Sequence, residues 1–189
     1  DNIIKSITKA DSLLYLGTED AGVLAYHLSS GELVYPFEGM EDQLRSVTDM
    51  RLVGTQLWVA TSRKGLVVLD LKRNKKSYYS QAGSESLRGL AALFEDSQQN
   101  LWVASRRALY RLAGSHVVFT PSPLGLEAEN IVDLVADQEG NLWYLNDQGL
   151  HYYAVTENNQ AAAVPVDLGA AVKQSVLISL YLDERGMLW

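Results

Sequence analysis

Two cationic pairs, Arg63-Lys64 and Arg106-Arg107, are the side chains of this sequence best suited to chemistry on a ligand. A guanidinium can donate two parallel hydrogen bonds to a carboxylate or sulfate, and a neighbouring ammonium adds a mobile positive charge. The matching stretches before and after them read Glu19-Asp20-Ala21 and Asn146-Asp147-Gln148, so Asn146 and Asp147 join the candidate set as hydrogen-bonding neighbours. If the four cations converge, they make a local positive site for an anionic ligand such as an acidic sugar. The alternative is that they are solvated loop charges balanced by nearby acids.

Other chemistry is thin. His27, His116 and His151 show no metal-ligand spacing and read as solvated or core-edge histidines. No glycine-rich phosphate loop or nucleophile elbow stands out, and nothing in the spacing of the 23 acidic residues selects a pair for hydrolysis. No catalytic residue, cofactor or metal is therefore expected. The absence of cysteine excludes disulfides and thiolate sites. A net charge of −7 argues against a nucleic-acid surface, and the one basic run, Lys72-Arg73-Asn74-Lys75-Lys76, reads as a solvated turn that protects an edge strand. The longest apolar stretch runs over 176–182 and is broken by Ser179, whereas a spanning helix needs about 20 residues; no membrane insertion is expected here.

The elements that must position these residues follow from a repeat. Leu57-Trp58, Leu101-Trp102, Leu142-Trp143 and Leu188-Trp189, with Leu14-Tyr15 as a softened copy, recur at steps of 43, 44, 41 and 46 residues. That period belongs to propeller blades. Before each aromatic lies an alternating run such as Val47-Thr48-Asp49-Met50 or Ile131-Val132-Asp133-Leu134, the mark of a half-buried strand. A turn follows, clearest in Asp137-Gln138-Glu139-Gly140-Asn141 and Asp183-Glu184-Arg185-Gly186, where Asp96, Asp137 and Asp183 read as hairpin formers. After the aromatic strand come an apolar strand and a more polar one, giving four strands per unit.

The sequence thus predicts an all-β fold, a β-propeller of four-stranded antiparallel blades. Blades fall at 3–36, 47–80, 87–120 and 130–165, with part of a fifth at 175–189, so the chain reads as a fragment of a larger propeller. Loops are expected at 37–46, 81–85, 121–129 and 166–174. Tyr15, Trp58, Trp102, Trp143 and Trp189 are the expected structural anchors, filling the wedge between neighbouring blades rather than stacking on a ligand.

The segment Ile131-Val132-Asp133-Leu134-Val135-Ala136-Asp137-Gln138-Glu139-Gly140-Asn141-Leu142-Trp143, followed by Gly149-Leu150, resembles the two-component-regulator propeller repeat. The third and fifth repeats match it well. The second has Gly54-Thr55 in place of the acidic turn, and the first keeps Leu14-Tyr15-Leu16-Gly17-Thr18 with Gly22-Val23. The resemblance implies the sensor region of a bacterial transmembrane signalling protein, periplasmic and ahead of a membrane helix with a histidine kinase or diguanylate cyclase output. The partners expected are a small molecule or oligosaccharide, the missing blades that the blade count calls for and the membrane-proximal domain that the resemblance implies, and a second copy in a homodimer. Competing readings are a protein-interaction scaffold and a propeller lyase or hydrolase.

Overall fold

A computed structural model describes residues 3–82, 85–96, 100–105, 108–112, 119–121, 131–154, 164–169 and 178–189, and among them every regular element is a strand. Two compact units divide the chain, Asp1–Leu93 and Phe94–Trp189.

In the first unit, alternating side chains place one face of each strand inward while tight turns fold each strand back on its predecessor. β1 (Ile4–Ala10), β2 (Leu13–Thr18), β3 (Val23–His27) and β4 (Leu33–Val34) form an antiparallel sheet in chain order. β5 (Val47–Val53), β6 (Gln56–Thr61), β7 (Gly65–Asp70) and β8 (Lys75–Tyr79) form a second sheet of the same design. Both inner hairpins close through two residues: Ala10 pairs with Leu13 and Val53 with Gln56. A short ladder follows, β9 (Gln81–Ala82) on β10 (Glu85–Ser86), where the sequence suggests only a loop. Ser80 and Leu87 bracket it with a backbone bond of 2.9 Å, which fixes the approach to the next strand.

The core of this unit lies between its two sheets. Tyr15, Val23 and Ala25 of the first pack with Met50, Leu57, Val59, Val67 and Leu69 of the second. Burying a large apolar side chain stabilises by roughly 1.5–3 kcal/mol, so the sheet-to-sheet contact holds the pair where an isolated blade would be marginal. Gly17 sets the closeness of that contact: a Cβ there would meet Val47 Cγ1 at 2.6 Å and Met50 at 3.2 Å. The opposite face of the first sheet repeats the same chemistry but is only partly covered. Ile7, Leu14, Leu16, Leu24 and Tyr26 precede Met50, Leu57, Val59, Val67 and Leu69 by 43 residues each; Leu24 is buried, yet Ile7 is 61% and Tyr26 37% exposed.

β11 (Leu90–Glu95), β12 (Leu101–Ser105), β13 (Leu109–Leu112) and β14 (Phe119–Pro121) make the third sheet; the division between the units falls within β11. β15 (Asp133–Ala136), β16 (Leu142–Asn146), β17 (Gly149–Tyr153) and β18 (Val164–Pro165) make the fourth. Beyond it, Leu182 and Leu188 form an antiparallel bridge, and Tyr181 and Trp189 exchange backbone bonds of 2.9 and 2.7 Å, the beginning of a fifth hairpin. Successive four-stranded antiparallel sheets built on one register are blades of a β-propeller.

Candidate functional site

Among the described candidate residues, Arg63, Lys64, Asn146 and Asp147 sit in or beside the turn between a blade's second and third strands, and one polar side chain shapes that turn. It stands three residues after the repeat aromatic, as Thr18, Thr61, Ser105 and Asn146. Thr18 Oγ1 donates to Gly22 O at 2.9 Å and accepts from Ala21 N at 3.0 Å. Thr61 Oγ1 donates to Gly65 O at 2.8 Å and accepts from the amides of Lys64 and Gly65. Ser105 does the same with Ala108, and Asn146 Oδ1 accepts from Gln148 N at 2.9 Å. A short hydroxyl or amide satisfying backbone groups a few residues on is the physics of a side-chain-closed turn.

The turn is then tied to the inner strands. Glu19 N donates to Ile3 O, and Glu19 O accepts from Ser46 N; one repeat later Ser62 N donates to Ser46 O and Ser62 O accepts from Gly89 N. The segment holding Arg63 and Lys64 is thus clamped at Ser62 between the starts of two successive blades.

Within that clamp Arg63 is exposed and makes no ion pair among the described residues, whereas Lys64 Nζ lies 3.0 Å from Asp42 Oδ2. Lys64 Nζ donates to that carboxylate, and the bond and charge together lower the Asp42 carboxyl below its ordinary value. Lys64 is therefore balanced by an acid of the inter-blade loop, while Arg63 keeps its guanidinium in water. Arg106 and Arg107 lie outside the described residues, as does His116. Asn146 spends its side-chain oxygen on the turn, with Asp147 the next residue in it. Arg63 and Lys64 belong to the first unit, Asn146 and Asp147 to the second. His27 is half-buried on β3; His151 is buried on β17, its ring stacked on Tyr144 at 4.9 Å. No group of acids and histidines among the described residues could hold a metal ion.

The repeat aromatics occupy unequal surroundings. Tyr15, Trp58 and Trp102 are 5%, 7% and 5% exposed, Trp143 is half-buried, and Trp189 is 70% exposed. Three of the indoles are latched to the turn acid six residues earlier: Trp102 Nε1 donates to Asp96 at 2.9 Å, Trp143 to Asp137 at 3.3 Å and Trp189 to Asp183 at 3.2 Å. The same carboxylates gather the turn's own amides, as when Asp137 Oδ1 accepts from Glu139 N and Asn141 N. Trp58, whose hairpin closes through Gly54-Thr55, has a buried Nε1 without a partner.

A polar feature that the alternating pattern conceals joins the inner strands. Asp49 Oδ1 accepts from Ser6 Oγ at 2.9 Å in the preceding blade and from Met50 N, while Asp49 Oδ2 accepts from Leu93 N at 2.9 Å in the following one. Arg51 Nε donates to Leu93 O beside it. Burial raises the Asp49 carboxyl above its usual value, against the opposing pull of Arg51 and the three donors. Asp133 repeats the device in the second unit, accepting from Ser179 Oγ at 3.1 Å and Leu180 N at 2.8 Å. The signal was available in the sequence, since Ser6, Asp49, Ala92, Asp133 and Ser179 occupy one repeat position, but alanine in the third copy hides its polar character.

The class of protein that this architecture defines is a β-propeller, and comparison with solved structures agrees. The chain is similar to the extracellular domain of a B. thetaiotaomicron protein described as the hybrid two-component system BT3049, at 17% identity and TM-score 0.76, covering 100% of this chain and 25% of that one. It is similar to the extracellular domain of BT4673 from the same organism, at 17% identity and TM-score 0.64, covering 98% of this chain and 31% of that one. It also resembles Staphylococcus aureus virginiamycin B lyase bound to quinupristin, at 13% identity and TM-score 0.74, covering 100% of this chain and 63% of that one. The chain thus spans less than two thirds of the length of each. No protein-family model matches, and no curated protein matches by sequence. At these identities the likeness is one of fold.

Proposed function

We propose that the chain is part of a ligand-sensing propeller on the extracytoplasmic, periplasmic side of a bacterial transmembrane signalling protein of two-component or diguanylate cyclase type. The observation that carries this reading is the match of the whole chain to the extracellular domain of BT3049, together with the repeat signature built around Trp143. The ligand is an anionic small molecule or acidic oligosaccharide. Arg63 is the anchoring contact in this reading, because it is the member of the Arg63-Lys64 pair that forms no ion pair among the described residues. Arg106 and Arg107 are a second cationic pair assigned to the same ligand class, Asn146 and Asp147 are further hydrogen-bonding candidates, and Lys64 is a contact that must first leave Asp42. The role is one of binding, with no catalytic residue in this stretch.

Calorimetric titration with acidic oligosaccharides tests the assignment. Wild-type protein should bind, an Arg63→Ala variant should bind more weakly, and an Arg106→Ala, Arg107→Ala double variant should lose most of the affinity. Unchanged affinity in the double variant removes the anionic-ligand reading.

The exposed part of the first sheet's outer face, around Ile7 and Tyr26, supports a second, compatible role in assembly. Ile7, Leu14, Leu16 and Tyr26 repeat the chemistry of Met50, Leu57, Val59 and Leu69, which a neighbouring blade buries, so the fitting cover is another blade of the same repeat. Such a blade comes from the same protein or from a second copy in a homodimer. Sedimentation of wild type against an Ile7→Lys, Tyr26→Lys variant separates these, because only association between copies depends on concentration.

A further inference from the structure

The loop over 37–46 carries a hollow that the anionic-ligand reading does not use. It has a volume of about 130 Å³ and is lined by apolar Val23 and Leu44, aromatic Tyr35 and Phe37, and anionic Glu38 and Glu41. That volume is room for about four waters, or for an ammonium head with a short carbon stem.

Its walls are held in place. Phe37 stacks on the buried Tyr15, with ring centres 6.0 Å apart and planes at 23°. Gly22, at φ 76°, brings β3's approach so near the loop that a Cβ there would meet Leu44 Cβ at 3.2 Å. Leu44 N donates to Met40 O at 2.9 Å, and Ser46 N to Glu19 O at 2.8 Å, which fastens the far end of the loop. Glu41 Oε1 accepts from Gly39 N at 2.9 Å; its own backbone amide and Gly39's hold the Glu41 carboxyl below the ordinary range.

The chemistry of the lining is one-sided. None of its side chains is cationic, the Tyr35 hydroxyl is the one side-chain donor, and both carboxylates can only accept. Lys76 comes close from β8, donating from Nζ to Glu38 O at 3.0 Å and adding a positive field at Glu41, but a single ammonium leaves the pair of carboxylates in excess. Asp42, the next acid in the loop, is already engaged by Lys64. A sugar would ask for donors as well as acceptors. An organic cation asks for carboxylates to meet its N–H groups, ring faces to meet its charge and apolar surface to meet its carbons.

We propose that this hollow takes the alkylammonium group of a ligand, with its carbons against Val23, Leu44 and the rings of Tyr35 and Phe37 and its charge toward Glu38 and Glu41. The site is independent of the contact assigned to Arg63, and its failure would leave that contact untouched.

The probe is n-butylammonium, with n-butanol as the neutral match and glucose as the polyol, each titrated into the 189-residue protein while backbone amide resonances are followed by NMR. n-Butylammonium should give saturable shifts centred on Gly22, Val23 and Leu44. Glu41→Gln should weaken binding by up to about fivefold, the upper end of what losing one exposed ion pair costs. Tyr35→Ala should weaken it about threefold through loss of a ring face, and Glu139→Gln, on an exposed hairpin turn of another blade, should leave it unchanged. Both loop substitutions are at exposed side chains, so the variants keep the wild-type spectrum elsewhere. Equal shifts with n-butanol would reduce the hollow to a generic apolar surface, larger shifts with glucose would make it a sugar subsite, and the absence of saturable shifts would remove it; each overturns the proposal.

Discussion

Asp137→Ala tests the claim that a turn carboxylate and an indole six residues on are one structural device. The Asp137 carboxylate accepts from Glu139 N at 3.0 Å, Asn141 N at 2.9 Å, Asn141 Nδ2 at 3.1 and 3.2 Å, and Trp143 Nε1 at 3.3 Å. Glu139 is exposed and its amide can turn to water, so its loss costs little. Asn141 is 8% exposed and Trp143 half-buried; Asn141 Nδ2 keeps Glu139 Oε2 at 3.3 Å, but the Asn141 backbone N–H and Trp143 Nε1 are left poorly hydrated. Leaving a buried donor unsatisfied costs about 1–3 kcal/mol, and two partly shielded donors put the expected loss at about 2–4 kcal/mol. For a chain of this length that corresponds to a fall in Tm of roughly 4–16 °C, if each kcal/mol moves Tm by about 2–4 °C. Urea unfolding followed by tryptophan fluorescence reads the loss as a lower Cm, the four indoles together reporting unfolding. Burial also orders the series: Asp96→Ala, latched at 2.9 Å to an indole only 5% exposed, should cost at least as much as Asp137→Ala. Asp183→Ala should cost least, since Trp189 is 70% exposed and water replaces the carboxylate. Equal losses at all three sites, or a loss below about 0.5 kcal/mol at Asp137, would refute the reasoning, since surface substitutions reach that size without any latch.

Replacing Val53–Gln56 by Asp-Gln-Glu-Gly-Asn should give Trp58 Nε1 the acceptor it lacks and stabilise the protein by about 1–2 kcal/mol, read as a rise in Cm with unchanged m-value. Gly17→Val should destabilise by about 1–3 kcal/mol through overpacking against Val47 and Met50, checked by thermal melting. Asp49 carries a pH signature of unusual sign. Burial raises its folded-state pKa above the unfolded value, so its contribution is fully present below the unfolded pKa and is lost as pH rises through the folded one. The stability difference between wild type and Asp49→Asn should accordingly shift toward the variant as pH climbs from the acid range to neutrality, and a flat difference would contradict that assignment. Asp183, lowered first by its bond from Met187 N and then by Trp189 Nε1, behaves oppositely, its contribution fading as the solution is acidified through the folded pKa.

What the sequence determined by itself was the scaffold, because a strand's chemistry is local. Alternation over Val47–Val53, a hairpin turn and an aromatic strand at a period of 41 to 46 residues leave one antiparallel register, since a slip by one residue would turn Met50, Leu57 and Val59 to the wrong face. The acidic turns were legible for the same reason: Asp137 and Asn141 bond within five residues of chain. The anchoring aromatics were legible as positions, but their burial was not. Trp102 and Trp189 each follow a leucine and an acidic turn six residues back, and only the presence of packed neighbours separates 5% exposure from 70%. Contacts across a whole repeat were decided by tertiary structure alone. Ser6 meets Asp49 across 43 residues, Lys64 meets Asp42 across an inter-blade loop, and Tyr35, Phe37, Glu38 and Glu41 line one hollow because Gly22 lets that loop close down on β3. Such pairs depend on how far one blade is rotated and pressed against the next, a quantity fixed by side-chain packing rather than by spacing along the chain.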